Sequence, residues 1–359
     1  MNKLYEIWRE KILLWQDGHR KFDGGKTPPR EKWKELFMRE EYGVRPPECD
    51  LPLRYEVVDE KDFFSARGQR IKMYYKTLPM EFHLWAPKNA DKVKTFVLPL
   101  HPNAYINKDI WNKPENIIDY CPIKDITDRN FSVAIVLCGD VAKDENGGEH
   151  TGIFAEMNCA RTSESWGVLS AWAWAASKVA DYLVRDERFD KNRLAVIGHS
   201  RGGKTALLAG VTDERFYLSV SSCSGNSGAA LSRNNKGERI DDIVRRFPYW
   251  FCENYKKYAK KEKSLPFDQH LFIALLAPRK CYVSSATLDG WADPSGELLS
   301  AKAASSYFEK AGVNGLIVPD KIECDRSYSQ GNIAYHRHRG LHEMTPADWQ
   351  MYMDYLLMD

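Results

Sequence analysis

Arg193-Leu-Ala-Val-Ile-Gly-His-Ser-Arg-Gly-Gly-Lys-Thr-Ala-Leu-Leu-Ala-Gly210 is the stretch whose reading decides the fold. Leu194 to Ile197 has the length and β-branched content of a buried parallel strand. Lys204 to Leu208 reads as the first turns of a helix. Between them, Gly198-His199-Ser200-Arg201-Gly202 is G-x-S-x-G. A strand that turns directly into a helix holds the serine at a strained apex with little room beside it. Gly198 and Gly202 remove two Cβ atoms from that crowded turn. Ser200 then projects Oγ from the top of a sheet, over a helix N-terminus that favours negative charge.

The order strand, G-x-S-x-G, helix is that of a nucleophile elbow. The rest of the chain agrees with it. Lys94–Leu100, Phe131–Leu137, Phe216–Ser222 and Lys280–Ala286 are apolar runs of strand length, and Ser165 to Val184 reads as a long buried helix. Upstream, Arg54 to Asp59, Ile71 to Leu78 and Met80 to Ala86 read as antiparallel edge strands, with Pro79 as a break. This alternation predicts an α/β-hydrolase: a doubly wound, mostly parallel sheet flanked by helices. Tyr5 to Lys21 and about Pro29 to Tyr42 read as packing helices, and proline-rich Arg45 to Leu53 as a linker. The predicted organisation is a helical extension over 1–53 and a hydrolase domain over 54–359.

Composition narrows the function classes. The 359 residues are 43% hydrophobic and 12% aromatic, enough for a large core. A net charge of +2 argues against nucleic acid and membrane surfaces as partners. The eight cysteines form no C-x-x-C pair, so neither a zinc motif nor a redox motif is suggested, and no cofactor or metal is expected. Met1 to Lys21 has no signal-peptide pattern, and no run approaches a membrane span, which predicts a cytoplasmic protein.

An elbow serine requires an acid and then a base later in the chain. His342 follows Arg339-Gly340-Leu341 and precedes a helix start at Thr345-Pro346, the loop position for a base. His336 and His338 read as structural or rim residues. For the acid, Asp289 lies just past the end of the Lys280–Ala286 strand, where it can orient an imidazole. Asp293, before Pro294, is the alternative, and it also fits a helix cap.

Gly198-His199-Ser200-Arg201-Gly202-Gly203-Lys204 resembles the Gly-Cys-Ser-Arg-x-Gly-Lys signature of glucuronoyl esterases, the 4-O-methyl-glucuronoyl methylesterases. Trp166-Gly167, Ala171-Trp172-Ala173-Trp174, Asp213-Glu214-Arg215-Phe216, Ser224-Gly225-Asn226-Ser227-Gly228-Ala229-Ala230, Leu265-Pro266-Phe267-Asp268-Gln269-His270 and Asp289-Gly290-Trp291 extend the likeness from about residue 80 to the C-terminus. The resemblance implies a serine carboxylester hydrolase acting on a carbohydrate ester, foremost a uronate. Arg201 would then stabilise the oxyanion, Lys204 would contact sugar hydroxyls, and Glu238 and Trp291 would bind and flank the uronate. Two departures stand out. Fungal members carry their acid as a glutamate where this chain has Cys223, so the acid must be found elsewhere. His199 replaces a cysteine beside the nucleophile and is expected to be structural. The rival readings are an acetylxylan esterase or other sugar deacetylase, and a non-catalytic carbohydrate-binding relative.

Overall fold

The computed structural model describes residues 30–105 and 108–359. The helix expected over Tyr5 to Lys21 lies outside the described residues. A nine-stranded sheet runs in the order β1-β2-β3-β5-β4-β6-β7-β8-β9. Its strands are β1 Arg54–Phe63, β2 Ala66–Tyr75, β3 Leu78–Pro87, β4 Val93–Leu100, β5 Phe131–Leu137, β6 Phe189–His199, β7 Phe216–Ser222, β8 Lys280–Ala286 and β9 Ile333–His338. The pairs from β1 through β3 to β5 are antiparallel, and all the others are parallel. This is the mostly parallel, helix-flanked sheet of an α/β-hydrolase.

Strand periodicity assigns the two faces. Val97 and Val196 pack into one core with the Val168–Leu183 helix. Phe96, Leu98, Ala195 and Ile197 point the other way, toward Ile123, Ile126, Trp349 and Tyr352. Chain order reverses around β4, which has β5 on one side and β6 on the other. Open α/β sheets bind ligands at the carboxyl ends of strands at such a reversal.

Three expectations need correction. Pro79 does not break a strand: the turn lies at Lys76–Thr77, with Lys76 at φ 50°, and Pro79 sits inside β3 opposite Tyr74. Pairing of β3 with β5 covers only Phe82–Trp85, so the missing N–H of Pro79 falls outside that ladder. β9 was not expected, because its histidines disguise a buried strand; they are tolerated there through pairing with Asp348. The 30–42 helix is α-helical only over Arg30–Phe37 and ends in a π-turn, Met38–Tyr42. Trp33, Phe37 and Tyr42 pack into the same core as the sheet.

All eight cysteines are free thiols. Among the described residues no helix is long and apolar enough to cross a membrane.

Candidate active site

Ser200 joins β6 to the Arg201–Thr212 helix at φ 56° and ψ −126°, a backbone region costly for a residue with a side chain. A Cβ on Gly198 would lie 2.0 Å from the Gly202 carbonyl oxygen, so only glycine fits there. At Gly202 the nearest atom, Pro99 O, would be 3.2 Å away, a milder constraint than the motif suggests. The helix begins at Arg201, and its first N–H groups have no carbonyl within the helix to bond.

His342 comes from the loop between β9 and the Pro346–Leu357 helix, and Asp289 from the turn between β8 and the Pro294–Lys310 helix. His342 Nε2 lies 2.9 Å from Ser200 Oγ, and His342 Nδ1 lies 2.6 Å from Asp289 Oδ2. Asp289 is buried, its other oxygen accepting the Ala292 N–H at 3.2 Å. Asp293 is not part of this chain of bonds. It caps the Pro294–Lys310 helix, accepting from Gly296 N–H and also from Lys236 N–H. The remaining histidines separate cleanly. His199 is buried, bonded to Ser222 Oγ at 3.3 Å, with its ring 4.5 Å from that of His342. Burial, then the neighbouring histidines, push its pKa well below the ordinary value, so it packs the base as a neutral ring. His336 and His338 are buried against the Asp348 carboxylate at 2.7 and 3.1 Å.

A pocket of about 130 Å³ opens beside Ser200 and His342. Arg201, Lys204, Glu238 and Trp291 all line it. Arg201 is clamped by Asp144 at 2.5 Å and lies over the Phe247 and Trp250 rings. Its buried Nε has no hydrogen-bond partner among the described residues. The expectation for Lys204 is not met in this arrangement. An ammonium has three donors, and those of Lys204 go to Ser224 O at 2.7 Å, Asn226 O at 2.5 Å and Glu238 Oε2 at 2.7 Å. No donor is left for a sugar hydroxyl. Lys204 instead fixes the Ser224–Asn226 loop and the Glu238 carboxylate. Glu238 N–H bonds Trp291 O at 2.7 Å, and the half-exposed Trp291 ring has Arg246 over it.

Several site residues escaped the sequence reading. Asp144 binds Arg201, Trp250 Nε1 at 2.8 Å and Tyr249 OH at 3.1 Å, and so ties the residue after the nucleophile to an aromatic wall. The signal available was the aromatic run Phe247-Pro-Tyr-Trp-Phe251. His101, at the end of β4, faces Arg201 and His342; burial, then Arg201, lower its pKa to about 4 and keep it neutral.

Comparison with known proteins identifies the family. The fungal glucuronyl esterase family model matches residues 112–312. Carbohydrate esterase MZ0003 from an unknown prokaryotic organism is 40% identical over 230 residues, 63% of this chain and 53% of its own length. A 4-O-methyl-glucuronoyl methylesterase of Hypocrea jecorina is 34% identical over 163 residues, 43% of this chain and 35% of its own. The match thus spans about half or less of these curated relatives. Two solved structures are covered more fully. A promiscuous CE15 esterase from a marine bacterial metagenome has a TM-score of 0.81 at 32% identity, covering 91% of this chain and 90% of the other. The glucuronoyl esterase of Solibacter usitatus has a TM-score of 0.82 at 30% identity, covering 92% and 91%. With the family's model matching more than half of this chain and a relative's fold matched almost end to end, this chain belongs to the glucuronoyl esterase family.

Proposed function

We propose that the chain is a serine carboxylester hydrolase acting on carbohydrate esters of uronic acids. The observation that carries this is the hydrogen-bonded chain Ser200 Oγ, His342 Nε2, His342 Nδ1, Asp289 Oδ2, at 2.9 and 2.6 Å. His342 takes the Ser200 proton as Oγ attacks the ester carbonyl, while Asp289 holds the ring and balances its charge. The Arg201 N–H, its guanidinium at the pocket wall and the His101 N–H after β4 stabilise the oxyanion; Pro102 has no N–H to offer. His342 returns its proton to the departing alcohol, and water then releases the acid from Ser200. Glu238, with one oxygen held by Lys204, accepts from sugar hydroxyls, and the exposed Trp291 face flanks the ring. The names of the relatives, a carbohydrate esterase and glucuronoyl esterases, support the uronate as the acyl part.

The test is hydrolysis of methyl glucuronate, methyl galacturonate and acetylated sugars by the wild type and Ser200→Ala. The proposal expects methyl glucuronate to be the preferred ester, with kcat falling by at least ~10³ in the variant. Full activity in Ser200→Ala would refute the nucleophile. A preference for acetyl release would reassign the sugar to the alcohol side.

A further inference from the structure

Cys223 follows β7 in a left-handed backbone conformation, φ 45°, and its side chain is buried. No step of the proposed hydrolysis uses it. Its Sγ, a carboxylate oxygen of Asp289 and a ring nitrogen of His342 all lie within 4.8 Å of one another. Thiolate, imidazole and carboxylate are the donors that zinc prefers, with bonds of about 2.0–2.3 Å. Such bonds set tetrahedral donors roughly 3.3–3.8 Å apart. The cluster therefore needs only the 2.6 Å His342–Asp289 contact to open and the thiol to swing in. The His342 side chain is 41% exposed, which leaves an ion a way in from solvent.

We propose that Cys223, Asp289 and His342 form an inhibitory zinc site superimposed on the acid–base pair. The ion bonds Sγ, one Asp289 oxygen and His342 Nδ1, and a water fills the fourth position. The thiol proton leaves to solvent. The imidazole proton moves from Nδ1 to Nε2, so the ring stays neutral. Thiolate and carboxylate together balance the charge of the ion, and nothing is oxidised or reduced. The consequence lies on the other side of the ring. Nε2 now carries a proton facing Ser200 Oγ, donates where it used to accept, and can no longer take the serine proton. The inhibition is reversible, because removing the ion lets the proton return to Nδ1.

The experiment titrates the full-length, chelator-treated protein in two ways. In the first, Zn²⁺ is added while methyl glucuronate hydrolysis is followed. Wild type loses activity and recovers it with EDTA, and Cys223→Ser and Cys223→Ala each need roughly tenfold or more zinc for the same fractional loss of their own rates. Equal sensitivity in both variants would overturn the proposal. In the second, Co²⁺ replaces zinc and absorption is recorded without substrate. A thiolate-to-cobalt charge-transfer band appears in wild type and is missing from both variants; its absence from wild type would overturn the site. The inhibition arm rests on the esterase reading, but the cobalt arm does not, so failure of one is told apart from failure of the other.

Discussion

Lys204 Nζ sits 2.7 Å from Glu238 Oε2, and both side chains are buried. The ion pair forms part of the pocket wall, with two loop carbonyls completing the shell of the ammonium. Removing one member of such a pair strands the other charge away from water. Lys204→Ala is expected to lose about 3–5 kcal/mol of stability, measured by denaturant unfolding. Glu238→Gln keeps an acceptor oxygen for the ammonium and should lose less. Both should raise KM, because the carboxylate that meets the sugar is then misplaced or gone. A Lys204→Ala protein as stable as wild type would show that the pair holds nothing in place.

Asp289 and Asp293 are four residues apart and do different work. Asp289→Asn keeps the shape but loses the charge behind His342, and kcat should fall by about 10⁴ with little change in melting temperature. Asp293→Ala removes a helix cap at a residue with φ 53°. It should cost about 0.5–2 kcal/mol from the lost cap, more if the strained backbone adds to it, while kcat stays near wild type. The reverse pattern would exchange their roles.

These residues also mark where the sequence stops being legible. The elbow was readable because its glycines and apolar strand are a local pattern: Gly198 is forced by a carbonyl four residues away. Fold order restricts a base and an acid to the ends of late strands, which points to His342 but leaves Asp289 and Asp293 both open; only the 2.6 Å contact with His342 Nδ1 separates them. What was not readable depends on distant partners. The resemblance makes Lys204 a substrate donor, but the carbonyls of Ser224 and Asn226, some twenty residues on, take up its donors. Nothing local to Asp144 marks it, yet it anchors Arg201 and Trp250. β9 was missed because a buried histidine reads as polar unless Asp348, ten or twelve residues on, is known to face it.

The loop that carries His342 is closed at its base by His338, at the end of β9, and Asp348, in the first turn of the next helix, at 3.1 Å. Burial opposes the charged His338 ring, but the Asp348 carboxylate, the Leu341 carbonyl and Glu343 outweigh it, and its pKa is raised. Burial likewise opposes the Asp348 carboxylate, and the two histidines hold its pKa well below the usual range. The His338 contribution to stability is complete below its ordinary pKa of 6.5 and is lost as pH rises through the raised value. The Asp348 contribution is present above the ordinary carboxylate pKa and is lost as pH falls through the lowered one. His338→Gln should therefore flatten the decline in melting temperature above pH 6.5. It should also speed amide exchange in residues 339–344. An unchanged alkaline decline would place its origin elsewhere.

Glu297 lies fully buried in the Pro294–Lys310 helix, behind the acid of the site. It accepts from Ser285 Oγ at 2.6 Å, at the end of β8, and from Gly225 N–H at 3.1 Å, in the loop held by Lys204. Burial drives its pKa up, the hydrogen bonds from Ser285, Gly225 and Ser224 only partly offset this, and Asp289 adds to the rise; the result is about 8. Below the ordinary value of 4.5 the carboxyl is protonated whether the chain is folded or not. Between 4.5 and about 8 the unfolded chain gives up that proton and the folded chain keeps it, so stability declines as pH rises. A glutamine has the same shape and never ionises. Glu297→Gln should thus gain stability relative to wild type as pH is raised from 4.5 toward 8, read as diverging melting-temperature curves. Parallel curves would mean that Glu297 is already ionised in the folded protein, with its charge compensated by the donors of Ser285 and Gly225.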